Sequence, residues 1–421
     1  MREMKDSGIE WVGTIPQDWQ LSKIGNLYTQ RNEKVSDKDY QPLSVTMQGI
    51  LPQLATAAKT DDGDNRKLVR VGDFAINSRS DRRGSCGISP LDGSVSLINI
   101  ILTPRTAMHP GYYNWLFHTT LFADEFYKWG HGIVADLWTT RWQEMKSISV
   151  PVPEYAEQER IAAFLDAECA EIDAVLEKTR ASIEEYKKLK QAVITQAVTK
   201  GIRSDRPMKD SGIEWIGEIP AEWDVLNLVA HTSMLTPMRD RPENLDGPIP
   251  WVRIEDFEGK YIESSKAGLG VSMKTVKEMN LKVYPVGTIL CTSSCIMGKC
   301  ATVSRELVSN QRFIGIIPDR TTDKTYLYYL MTSNAERMNF LSTGALQANL
   351  SRSAFEHLKV QFPPYSEQRE IAAYLDDKCE KIDELILKKQ QYLTEIENYK
   401  KSLIYEYVTG KKEVKTSVLA D

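Results

Sequence analysis

Arginines set among short amide and hydroxyl side chains are the most chemically distinctive feature of this chain. Residues 66–83 hold Arg66, Lys67, Arg70, Arg79, Arg82 and Arg83 against only Asp73 and Asp81, with Asn77, Ser78 and Ser80 between them and Gly84 and Gly87 after them. That mixture suits DNA: Arg pairs bidentately with guanine, Asn with adenine, and Lys and Arg with phosphates. The alternative for the same stretch is a solvated basic loop. A looser set follows in Thr292, Ser293, Ser294, Lys299 and Arg312. Arg141 beside Trp138, and Gln347 and Asn349 with Arg352, extend the two sets, although Trp138 suits a core equally well.

Other chemistry is nearly present and then fails. Gly298-Lys299 ends like a phosphate-binding loop, but Ser293 stands where the first Gly belongs and Cys300 where Ser or Thr should. The five histidines form no HExxH and no cluster. Cys291, Cys295 and Cys300 approach zinc-ligand spacing, but a structural site wants four ligands in tighter pairs. Glu258-Gly259-Lys260, with Asp246 or Glu243 upstream, has the ExK form of a metal-dependent nuclease, a triplet common by chance in so charged a chain. Phe362-Pro363-Pro364-Tyr365 resembles the (N/D)PP(Y/F) tetrapeptide of amino-methyltransferases, with Phe in place of the acceptor. No catalytic residue and no metal ligand is therefore assigned.

The elements that must hold the basic loops come in two copies. Residues 4–21, MKDSGIEWVGTIPQDWQL, return at 208–225 as MKDSGIEWIGEIPAEWDV, and EQERIAAFLD at 157–166 returns as EQREIAAYLD at 367–376. From there to Val198-Thr199 and Val408-Thr409 the copies align without a gap. Each helical copy carries a heptad. Leu165, Ile172, Thr179, Tyr186 and Val193 interleave with Cys169, Leu176, Ile183, Lys190 and Ala197. In the second copy Leu375, Ile382, Lys389, Ile396 and Leu403 interleave with Cys379, Ile386, Leu393, Lys400 and Tyr407. Sustained a/d spacing predicts a coiled-coil seam, and forty-odd residues would extend roughly 60 Å. Neither helix is stable alone, so pairing one with the other is the economical reading; two amphipathic helices packed separately are the alternative. The seam lysines, Lys389 above all, are expected at imperfect register or exposed ends.

Between the repeats lie two divergent inserts that read as mixed α/β. Strands are expected within Val69–Ile76 and Ser94–Leu102 and a helix over Tyr112–Lys128; in the second insert, strands within Val283–Cys291 and Gln311–Ile317 and a helix over Tyr326–Phe340. Insert 22–150 has 15 Lys and Arg against 13 Asp and Glu, and insert 226–362 has 16 against 13. The chain as a whole carries −5 over 421 residues, so basic charge gathers in the inserts and acidic charge in the frame. Composition is that of a folded protein, 42% hydrophobic and 26% charged. No apolar run is long enough for a membrane span, the N-terminus lacks a signal-like run, and six cysteines are too few for a disulfide scaffold. The expectation is a cytoplasmic protein that does not engage membranes.

This layout resembles the specificity (S) subunit of a type I restriction–modification system. The likeness rests on two divergent inserts, two helical EQ-x-x-IA-A-[FY]-LD repeats and two G-x-IP-x-x-W openings. It implies an α+β architecture of two α/β target-recognition domains joined by two long antiparallel coiled-coil helices, a tandem duplication with a pseudo-twofold axis. The boundaries would be 1–153 and 208–362 for those domains, 154–207 and 363–412 for the helical spacers, and 413–421 for a tail. The resemblance further implies a non-catalytic chain whose two domains each read half of an asymmetric, bipartite site in double-stranded DNA. Its helices would set the spacer and dock two methyltransferase (M) subunits and the restriction/motor (R) subunits. S-adenosylmethionine, ATP and Mg would belong to those partners, with no cofactor in this chain.

Overall fold

The computed structural model describes residues 2–53, 63–132, 138–238, 240–294, 297–342 and 350–415. The chain divides into two compact units, Met1–Arg180 with Gln391–Asp421, and Ala181–Gln390. Each unit contains one insert and half of each of two long helices, Tyr155–Lys200 and Tyr365–Val408.

Neither helix contains Pro or Gly, so nothing interrupts the backbone ladder over 46 and 44 residues. Both end at a glycine in the left-handed region, Gly201 (φ +75°) and Gly410 (φ +71°), where an L side chain is strained. Every heptad position is buried or half-buried. In the first unit Phe164 packs on Tyr407 with ring centroids 4.4 Å apart, Asp173 pairs with Lys400 at 2.6 Å and Arg180 with Glu397 at 2.8 Å. In the second, Lys190 pairs with Asp383 at 2.6 Å and the Lys389 ammonium lies 5.8 Å from the Tyr186 ring centroid. Partner numbers fall along one helix as they rise along the other, so the two segments within each unit are antiparallel. Seam lysines thus bury their stems and carry their charge to a partner on the facing helix; register is not lost where they occur.

The first insert is built on an antiparallel sheet of β1 (Tyr28–Arg31), β2 (Phe74–Asn77), β3 (Cys86–Ile88) and β4 (Asn99–Pro104), in the order β3-β2-β4-β1. Alternation along the central strands feeds two cores. Phe74, Ile76, Ile100 and Leu102 face the aromatic cluster of Tyr28, Tyr113 and Phe117, while Ala75 and Ile101 join Leu43, Ile50, Val69 and Val95 on the other side. The second insert repeats this with β5 (Thr232–Leu235), β6 (Tyr261–Ile262), β7 (Ile289–Thr292), β8 (Cys300–Val303) and β9 (Phe313–Pro318), in the order β5-β9-β7-β8-β6. The added edge strand β6 pairs parallel to β8; the other ladders of this sheet are antiparallel. The Lys260 ammonium, beside β6, pairs with Asp376 at 2.5 Å on the second long helix.

The single helix expected over Tyr112–Lys128 is two, Pro110–Phe117 and Thr120–Lys128, and the one expected over Tyr326–Phe340 is Lys324–Ser333 and Ala335–Leu341. Thr119 is extended (ψ 142°) and its hydroxyl accepts from Phe122 N, a cap that starts a new helix. In the second unit Asn334, at ψ 8°, ends one helix and begins the next. Continuous apolar content hid both breaks.

The repeated sequence motifs join insert to frame, in the same way twice. Glu157 accepts from Trp19 Nε1 at 2.9 Å and takes both Arg2 nitrogens; Glu367 accepts from Trp223 Nε1 at 3.0 Å and takes Arg206. These carboxylates hold both arginines above the usual guanidinium range. Gln158 accepts from His109 N at 2.9 Å and donates to Pro153 O at 2.9 Å; Gln368 accepts from Asp323 N at 2.8 Å and donates to Pro363 O at 2.9 Å. The EQ pair therefore ties the tryptophan of the opening hairpin and the start of the insert's helix to one turn of the frame. The tetrapeptide at Phe362 sits at this joint, with Phe362 ending a buried strand.

Candidate nucleic-acid interface

The linear run of basic residues at 66–83 does not stay together. Arg66 is buried in the strand Arg66–Val69 and donates to Ser94 Oγ at 2.8 Å and Ser94 O at 2.9 Å, with its pKa lowered by burial. Lys67 donates to Asn99 O at 2.7 Å and is likewise lowered by burial. Arg70 bonds Asp92 at 2.9 Å and lies over the Tyr40 ring. These three belong to, or adjoin, a small sheet of Lys34–Val35, Arg66–Val69 and Gly93–Val95.

The remaining basic residues of the first set converge with Arg141 at the tip of the main sheet. Ser78, just after β2, donates N–H to Ile98 O (3.3 Å) and accepts at its carbonyl from Thr140 N (3.0 Å), while Asn77 N bonds Ser85 O at 2.9 Å. Ser80 N bonds Trp138 O at 3.1 Å, which completes an antiparallel bridge between Arg79 and Thr139. Three segments thus cross at Ser78, and Asn77, Arg79, Thr139 and Arg141 share one face by strand alternation. Trp138 is half-buried, and its indole nitrogen donates to Tyr127 O at 2.8 Å. Arg79, Arg82, Arg83 and Arg141 are exposed. Arg83 is held by an ion pair with Asp124 and lies over Tyr127, and Arg82 is 3.8 Å from Asp81. No partner of the Arg79 or Arg141 guanidinium occurs among the described residues.

The second unit builds the same crossing. Ser293, just after β7, donates to Arg312 O (2.8 Å) and accepts from Leu350 N (2.9 Å), and Thr292 N bonds Lys299 O at 2.9 Å. Thr292 and Ser293 are buried, and the Thr292 hydroxyl accepts from Lys299 N at 3.1 Å. Lys299, Arg312 and Arg352 are exposed around them. Arg352 pairs with Glu356 at 2.7 Å. Gln347 and Asn349 lie outside the described residues, in the stretch just before Leu350, and Cys295 of the zinc-like spacing lies outside them too. Cys291 and Cys300 face each other in the β7–β8 ladder, and burial pushes the Cys291 thiol well up. The ExK residues disperse: Glu258 pairs with Lys266, and Lys260 with Asp376.

Sequence reasoning noted Ser78 only as a short polar side chain and missed the crossing its backbone makes. It also missed Thr140 and Leu350, whose backbones complete the crossings, and Tyr127, whose hydroxyl donates to Asn77 O at 3.1 Å beneath the loop. Only the parallel positions of Ser78 and Ser293 after equivalent strands would have signalled them.

What two such tips offer is exposed cationic donors on a rigid backbone, the furniture of base-edge and phosphate contact. No group of three or more His, Cys, Asp or Glu side chains suited to a metal ion occurs among the described residues, and no helix there is long and apolar enough to cross a membrane.

Residues 224–398 match the family described as "Type I restriction modification DNA specificity domain". The chain is 35% identical over 176 residues to the type I restriction enzyme MjaIX specificity subunit of Methanocaldococcus jannaschii, a match covering 39% of this chain and 40% of the relative. It is 22% identical to the MjaVIII specificity subunit of that organism, over 95% of this chain and 94% of the relative. Among solved structures, one chain from work on complex assembly and conformational transition of the type I R–M system matches with TM-score 0.75 at 13% identity, covering 94% of this chain and 99% of that one. The HsdS subunit from Thermoanaerobacter tengcongensis matches with TM-score 0.52 at 15% identity, covering 94% and 98%. These two likenesses concern the fold.

Proposed function

We propose, for a chain that belongs to the type I restriction–modification specificity subunits, that each insert reads one half of a bipartite site in double-stranded DNA through the tip of its main sheet. The observation that carries this reading is the crossing itself. Two inserts with little sequence in common build one backbone arrangement, at Ser78 and at Ser293, and surround it with different exposed donors. A shared support under unlike side chains suits two readers of unlike sequences. The target is then asymmetric, with a fixed unread spacer.

The frame supports the rest. The antiparallel long helices fix the spacer, and their outer faces, with those of the opening hairpins, dock two methyltransferase subunits; restriction/motor subunits join for cleavage. S-adenosylmethionine, ATP and Mg reside on those partners. The acidic frame avoids the duplex, so contact falls to the inserts and to partner surfaces. Each insert carries a small positive charge, so the isolated chain binds DNA weakly.

The test is selection from random duplex DNA by the chain co-purified with its methyltransferase, beside a partner-only control. The expected result is two unlike short motifs at one fixed separation. Enrichment no greater than the control would remove the inserts from DNA reading.

A further inference from the structure

The first unit's tip carries four exposed arginines, and they are not equivalent. Reading a base edge bidentately needs a guanidinium with its donors free and a backbone fixed well enough to aim it. Arg83 is already engaged, paired with Asp124 and lying over Tyr127. Arg82 sits in the short turn Ser80–Arg82, its N–H on Arg79 O and its carbonyl accepting from Ser85 N and the Tyr127 hydroxyl, and its guanidinium is drawn to the neighbouring Asp81 carboxylate at 3.8 Å. Arg79 is different. Its N–H is held by Asn77 Oδ1 at 3.0 Å, and its position is pinned opposite Thr139 by the bonds Ser80 N to Trp138 O and Thr140 N to Ser78 O. Arg141 is fixed by the same pair of strands and by its N–H to Glu144 Oε2 at 3.0 Å. Both guanidinia are exposed and unpartnered among the described residues.

Residue 141 continues extended from the bridge (φ −98°, ψ 169°), so it emerges on the same face as Thr139 and diagonal to Arg79. Diagonal neighbours across an antiparallel pair lie about 7–8 Å apart. Successive base pairs are spaced about 3.4 Å along one strand, so such a pair spans about two steps. Guanine alone offers two acceptors, N7 and O6, to a guanidinium in the major groove.

We propose that Arg79 and Arg141 are the specificity-determining residues of the first insert and read two guanine-bearing base pairs no more than three positions apart, whereas Arg82 and Arg83 do not choose bases. This rests on the reading that the first insert binds one half-site. Among the described residues of the second tip, Lys299 lies over the Phe257 ring with its ammonium 6.0 Å from the centroid and Arg352 pairs with Glu356, which leaves Arg312 without a second arginine of this kind, so the guanine pair belongs to one half only.

The full chain, co-purified with its methyltransferase, is put through selection on random duplex DNA as wild type and as R79A, R79Q, R141A and R83A, with melting temperatures compared first. Wild type enriches a bipartite motif with two close guanines in one half. R79A and R141A each lose about tenfold of the preference at one of those guanines and leave the other half unchanged. R79Q moves that position toward adenine, since a carboxamide pairs with adenine N6 and N7. R83A keeps the whole motif and nearly all of the affinity, since Asp124 already balances that charge. If R79A and R141A both retain the wild-type motif, or the affected half has no guanine, the assignment is wrong while the bipartite reader stands. If wild type enriches nothing above the partner-only control, the half-site reading itself has failed, and this assignment with it.

Discussion

The tips of the two inserts hang from the same three-way crossing, at Ser78 in one unit and Ser293 in the other, yet they expose different chemistry. Around Ser78 stand Arg79, Arg82, Arg83 and Arg141; around Ser293 stand Lys299, Arg312 and Arg352. The opening hairpins diverge in the same spirit. Trp11 is buried edge-on against Phe122, whereas its counterpart Trp215 is 43% exposed and stacked with Arg337 at 3.8 Å. The joints do not diverge: Trp19 on Glu157 and Trp223 on Glu367 are one interaction made twice. Backbone-to-backbone support tolerates any side chain that points outward, while a buried carboxylate with three donors tolerates none.

The joints give the largest expected effect. Removing Glu367 leaves the Trp223 indole unpaired and Arg206, with its side chain 9% exposed, held by the half-exposed Glu222 alone, and E367A is expected to cost the second unit about 3 kcal/mol. Arg2 and Glu157 are wetter, at 20% and 13%, so E157A is expected to cost the first unit about 2 kcal/mol. Hydrogen exchange resolved by unit checks the order, and equal losses would mean that the copies are energetically the same. The seam comes next. Ile382 is buried and Ile172 half-buried, so a charge at 382 is expected to cost about 3 kcal/mol and one at 172 clearly less. Denaturant melts of I382D and I172D report this, and unchanged assembly and spacer preference in both would count against helix pairing.

The helix ends offer a finer contrast. A Cβ on Gly410 would meet the Pro16 ring at 2.5 Å and Trp19 at 2.9 Å, while one on Gly201 first meets the end of the Arg206 side chain at 2.7 Å, which can shift further than a ring can. Both have positive φ, so G410A is expected to cost about 2–3 kcal/mol and G201A about 1 kcal/mol by thermal melting. Smallest of all are the surface charges. The double change R82A/R83A is expected to lower the slope of log affinity against log salt by about 1, from Arg82, because Arg83 is already paired with Asp124. R352A, already neutralised by Glu356, should change it by well under 1.

Much of this was legible in the residues. The duplication, the long helices and the concentration of basic charge in the inserts all follow from local identity, a seven-residue period and counting. Helix breaks at Thr119 and Asn334 were not legible, because a cap is set by one residue's backbone while apolar periodicity averages over many. Nor was the fate of Arg66 and Lys67. Along the chain they resemble Arg82 and Arg83, but their strand lies in a sheet whose donors turn inward to Ser94 and Asn99.

The sequence by itself determined that two similar frames carry two dissimilar inserts, since repeats and heptads are statements about spacing and need no third dimension. Only the tertiary structure decided which cations can face a ligand. Segments around residues 78, 98 and 140, and around 293, 312 and 350, meet through backbone hydrogen bonds, and those carry no side-chain signature. A main-chain N–H and C=O are the same in every residue but proline, so the contacts that build each tip leave little trace in the letters that spell it.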